Sequence, residues 1–149
     1  MWLWLPVGAC IAFGALYLNF FILTPTGHLS WPLVGASEAE SLARIFWGVN
    51  IGGFWDELVW INLVFVLLSR HFPFWEANFA QAFFFTSFLY DIAFFGAGPF
   101  FIFPFALIQG YTYRKTGSLL YIVILHLMID SILFFMIANR YFPGWGWRG

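Results

Sequence analysis

Four carboxylates and one imidazole stand where an otherwise apolar sequence leaves them least room. Asp56 and Glu57 are adjacent, Asp91 is alone, and His126 and Asp130 are four residues apart. All five fall inside stretches that read as membrane helices, and every Lys and Arg falls outside them. An ionised carboxylate at the centre of a lone membrane helix costs about 2.5–3.5 kcal/mol. These acids are therefore expected to be protonated, water-exposed, or partnered by His126, a metal ion or another chain. His126 and Asp130 occupy i and i+4 of one helical face. The carboxylate can then orient the imidazole, as it does at metal and general-base sites. The plain alternative is a histidine satisfied by its own helix neighbour. Asp56 and Glu57 point in adjacent directions around their helix, so at most one faces a given site squarely. Their plain alternative is a pair of acids lining an interhelical water pocket.

The elements that carry these groups follow from composition. Of 149 residues 62% are hydrophobic, 25% aromatic and only 9% charged, which excludes a water-soluble globule and a disordered chain. A net charge of -1 with six basic residues leaves no electrostatic footprint for nucleic acid. The lone Cys10 excludes an internal disulfide and a Cys-rich metal site. The expectation is an all-α, multi-pass integral membrane protein: one transmembrane helical domain over residues 1–149, with about five spans.

Residues 2–24 read as a retained membrane helix, because no Lys or Arg precedes the apolar stretch and the first charge is Glu38. Trp2 and Trp4 would lie at one interface. A polar connection starts at Pro25. Ser37 and Glu40 match a capping box, placing a helix start near Glu38. That helix would run to Arg70, roughly 48 Å, longer than a bilayer core. It must tilt strongly or break at Gly48 or at Gly52-Gly53. The remaining spans are expected over 74–95, over 100–113 around Pro104, and over 118–138, before an aromatic tail with Trp145 and Trp147. Gly48 and Gly52 form a GxxxG that Gly53 extends, which predicts a helix-packing face. One membrane face would carry Arg70, Arg114 and Lys115, the other Arg44, Arg140 and Arg148. The tight Arg114-Lys115 pair assigns its face to the cytoplasm, with the N-terminus inside. On this layout Glu57 and His126 each lie about 12 Å from the same face, so they can meet. Asp91 comes out about two turns away.

Asp56-Glu-Leu-Val-Trp-Ile61 resembles the EExxxR motif of the CAAX-protease and bacteriocin-processing (CPBP) family, intramembrane glutamic proteases. The block from Gln109 through Gly110, Arg114, Lys115, Gly117 and Ser118, followed by His126-Leu-Met-Ile-Asp130, is similar to that family's closing helix, basic turn and HxxxN/D motif. The likeness covers residues 45–138 and implies a CPBP-like fold with Asp56, Glu57, His126 and Asp130 as catalytic residues. It also exposes departures. Asp56 replaces the glutamate that activates water, Ile61 stands where the family has arginine, and no histidine lies near Leu89 to Asp91. One lost oxyanion donor costs about 10²–10³ in rate.

The resulting expectation is a decayed catalytic site in a small accessory subunit of a larger membrane complex, with the bilayer and other membrane subunits as partners. One alternative is an active CAAX-type endopeptidase cleaving hydrophobic or prenylated peptides. Another is a pigment- or quinone-binding subunit, with His28, His71 or His126 as axial ligand and the runs Phe83–Phe85 and Phe100–Phe105 as lining. A metal ion at His126 and a bound lipid stay open, as does whether Asp91 replaces the missing histidine.

Overall fold

The computed structural model describes residues 3–23, 37–92 and 94–145. They form five helices: α1 Trp4–Leu23, α2 Glu38–Leu68, α3 Phe74–Ile92, α4 Pro99–Thr116 and α5 Leu119–Tyr141, with no strand among the described residues. Three of them, α1, α2 and α5, are long and apolar enough to cross a membrane, with mean hydropathies of 1.9, 1.6 and 2.4. Backbone groups in lipid must be satisfied within their own segment, which is why the apolar stretches are helical.

Helix starts and stops follow local chemistry. The Ser37 hydroxyl accepts the Glu40 amide at 3.2 Å, which caps α2, and Arg44 pairs with Glu40 one turn on. Ser118 caps α5 in the same way, accepting from the Tyr121 amide at 3.2 Å. Between α4 and α5 the chain turns at Gly117, whose φ of 62° is left-handed and whose amide donates to the Tyr113 carbonyl at 2.8 Å. Pro99 opens α4, where its missing amide would have no helical partner.

Several boundaries differ from expectation. The long second helix does not break at Gly48 or Gly52-Gly53. Instead it runs unbroken, and its irregularity is a π-helical stretch over Glu57–Phe65, immediately after Asp56. The third helix ends at Ile92 rather than 95, and the fourth runs to Thr116 rather than 113. The expected packing face is realised at one of its glycines. A Cβ on Gly52 would meet nothing within 4 Å, whereas one on Gly53 would lie 1.7 Å from an Asp130 carboxylate oxygen. The close approach is therefore made at Gly53. Trp2, the connection from Pro25 and the tail from Gly146, including Trp147 and Arg148, lie outside the described residues. Trp145 packs on Phe134 and Phe135, with ring centroids 5.4 and 5.7 Å away.

α5 is the central element. It packs along α2 and α1, while α3 packs along α4 and the π-helical part of α2. Ile45 and Val49 of α2, Phe85 of α3, Ala106 of α4 and Ile137 of α5 meet in one core. Neutral amides join α3 to α4: Asn78 donates to the Leu107 carbonyl at 3.0 Å and Gln81 to the Ala106 carbonyl at 2.9 Å. The Asn78 side chain fits because Gly110 is bare; a Cβ there would lie 1.9 Å from its oxygen. Without a hydrophobic drive between helices in lipid, such hydrogen bonds and small-residue contacts hold the bundle together.

Candidate functional site

The buried ionisable groups gather on two helices. Glu57, 1% exposed, projects from the first turn of the π-helical stretch of α2, and His126 and Asp130, 5% and 6% exposed, from α5. His126 Nδ1 lies 2.5 Å from Glu57 Oε1. Its other nitrogen, Nε2, is 3.7 Å from Asp130 Oδ1, beyond a normal hydrogen bond. The ring is held edge-on between Phe105 and Phe85, with centroids 5.4 and 6.3 Å away. A carboxylate on Nδ1 fixes orientation and tautomer, and leaves Nε2 as the nitrogen able to exchange a proton.

A third helix contributes Gln109 from α4, also 1% exposed. Its amide nitrogen donates to Glu57 Oε1 and lies 3.3 Å from His126 Nδ1. Sequence reasoning passed over this residue as the first letter of a motif block. The available signal was its type: an uncharged polar side chain in an apolar helix, five residues before the basic pair Arg114-Lys115. The donor that Ile61 cannot supply from within α2 comes instead from another helix. Ile61 itself is 1% exposed and packs with Tyr121 and Ile122 of α5, so apolar contact occupies that position.

Asp56 is half-buried, one turn before Trp60. It does not share the Glu57–His126 contact; it forms part of the wall of a cavity of about 590 Å³ between α1, α2, α4, α5 and the end of α3. His126 and Asp130 line the same cavity. Its remaining lining is apolar or glycine, including Trp55, Phe88, Phe100 and Phe105 and the Gly48–Gly52 pair. Among the described residues no Lys, Arg, Ser, Thr, Asn or Gln side chain lines it. Leu89 does, in the region where the resemblance implies a histidine. Asp91 is exposed and is not part of the wall.

Two carboxylate oxygens in this cluster, Glu57 Oε2 and Asp130 Oδ2, are buried without a hydrogen-bond partner. Asp130 can sit this deep only because Gly53 presents bare backbone to it. No group of three or more His, Cys, Asp or Glu among the described residues is arranged to hold a metal ion. His71 is exposed in the connection after α2, and His28 lies outside the described residues. The arrangement can therefore hold and move a proton at His126 beside an apolar chamber. It presents acceptors to that chamber and hardly any donors.

Comparison with known proteins gives one match. A family model described as Rce1-like, "Type II CAAX prenyl endopeptidase Rce1-like", matches residues 38–132, from the cap of α2 past Asp130. No curated protein and no solved structure matches.

Proposed function

The chain belongs to the Rce1-like family of type II CAAX prenyl endopeptidases, and from that premise we propose that it is a multi-pass membrane protein that binds an apolar chain in its cavity without hydrolysing a peptide bond. The observation that carries this reading is the chemistry of the wall: two carboxylates and one imidazole in an otherwise apolar chamber. Amide hydrolysis needs a base for water and hydrogen-bond donors for the developing oxyanion. Asp56 or His126 supplies the first. For the second, His126 is the one ionisable donor that lines the chamber among the described residues, since Ile61 and Leu89 occupy the places of the arginine and the histidine. A cavity of about 590 Å³ falls within the size range of small-molecule sites.

Binding without turnover suits an accessory subunit of a larger membrane complex. Exposed rings such as Trp47, Trp55, Phe83 and Phe100 give it apolar faces for lipid or a neighbouring subunit. On this reading α1 to α5 all span, with Arg114 and Lys115 on the cytoplasmic side together with the N-terminus. Retained proteolysis is the second reading, favoured by Asp56 facing the chamber beside His126. One experiment separates them. The detergent-purified chain is incubated with prenylated and with merely hydrophobic peptides, alongside His126→Ala, while native mass spectrometry of membranes reports its assembly. Retention of the prenylated peptide with no cleavage above the blank is expected. Cleavage that His126→Ala abolishes, from a monomer, establishes the protease instead.

A further inference from the structure

We infer that the cavity takes an amphiphilic amine: a hydrocarbon chain with an ammonium head seated against Asp130 and Asp56. This rests on the reading of the chamber as an apolar-chain site and adds the head group that the chain must carry. Charge is the first argument. Asp56 and Asp130 stand on the wall, with Glu57 directly behind His126, and His126 is the one basic side chain among the described residues that lines the chamber. The described basic residues near other groups are engaged elsewhere. Arg44 pairs with Glu40, Arg114 lies over Phe74, Lys115 over Tyr111, and Arg140 donates to the Phe20 carbonyl. Three acids around a single imidazole leave negative charge uncompensated when ionised, which is costly in an apolar medium, and an incoming cation lowers that cost.

The second argument is the unpartnered acceptor. Asp130 is 6% exposed and lines the chamber, and its Oδ2, buried against the bare backbone of Gly53, has no hydrogen-bond partner, so the carboxylate has acceptor capacity to spare. A fatty acid head would be repelled there, and an alcohol offers a single donor. An ammonium offers three donors and a charge. The aromatic walls are the third argument. Rings such as Phe88, Phe100 and Phe105 pack hydrocarbon and attract a cation over their faces, which they would not do for an anion.

The test uses three probes of equal chain length: dodecylamine, dodecanol and dodecanoate, titrated calorimetrically into the full chain in maltoside micelles. Micelles without protein serve as the blank. The amine is expected to bind at least about tenfold more tightly than the alcohol, and dodecanoate more weakly than either. Asp130→Asn keeps the side-chain shape and removes the charge, so it is expected to bring the amine down to the level of the alcohol. Asp56→Asn, at a half-buried position, makes the same test should Asp130→Asn fail to fold. Equal binding of amine and alcohol overturns the inference about the head group and leaves the apolar-chain reading standing. No binding of any probe above the blank overturns both.

Discussion

The molecule holds two buried polar knots, and they are built alike but loaded differently. Between α3 and α4, Asn78 and Gln81 bond to the carbonyls of Leu107 and Ala106, and Gly110 makes room for Asn78. Between α2 and α5, Glu57, His126 and Asp130 come together, and Gly53 makes room for Asp130. In each, a bare glycine admits a polar side chain from the neighbouring helix. The first knot is made of neutral amides spent on backbone carbonyls, with only Gln81 Oε1 left over. The second is made of ionisable groups, opens onto a cavity, and leaves two carboxylate oxygens unpartnered. The contrast separates a joint from a site. A joint uses its polar groups up within the protein, whereas a site keeps some of them unspent.

The contrast is sharpest under truncation. His126→Ala removes the ionisable partner of a fully buried Glu57, leaving it only Gln109, and is expected to cost about 3–5 kcal/mol, read as a fall in thermal stability in detergent. A loss below about 1 kcal/mol would mean that the charged knot is no more demanding than the neutral one. The glycines come next. Gly53→Ala and Gly110→Ala each force a side chain out and should cost about 1–3 kcal/mol. In double-mutant cycles Asp130→Ala should relieve only Gly53→Ala, and Asn78→Ala only Gly110→Ala. Relief across the knots would show that they are one network. The smallest effect is expected from Gln81→Leu, about 0.5–1.5 kcal/mol for one neutral hydrogen bond, with retention of prenylated peptide unchanged. Loss of that retention would make the joint part of the site.

What could be read from the sequence was what is local or what depends on length. The start of α2 was legible because a cap is a short-range device, Ser37 to Glu40. The meeting of Glu57 with His126 was legible from depth, since helical rise converts residue number into position along the membrane normal. The same arithmetic kept Asp91 apart, and it lies exposed. What could not be read was direction around a helix. Spacing marked Gly48, Gly52 and Gly53 together as a packing face, and could not say that Gly53 rather than Gly52 meets the neighbouring helix. The π-helical stretch after Asp56 changes the residues per turn, so a pattern counted at 3.6 loses phase there. Gln109 was missed for the same reason. Its aim at Glu57 is set by how α4 docks on α3 through Asn78 and Gln81, not by any motif of its own.

The two-residue link between α4 and α5 has a consequence for how the protein enters the bilayer. α4 interrupts its apolar run with Pro104, Gln109, Arg114 and Lys115, and falls outside the set of helices apolar enough to cross alone, whereas α5 is the most apolar of that set. Joined only by Gly117 and Ser118, the two are expected to partition as a hairpin, the later helix drawing in the earlier one. Gln109 can reach Glu57 only once that hairpin is in place, and His126 arrives with it. The acid on α2 therefore waits in the membrane without its partners until the last third of the chain has been made, and synthesis stalled before α5 would leave Glu57 a recognisable mark for quality control.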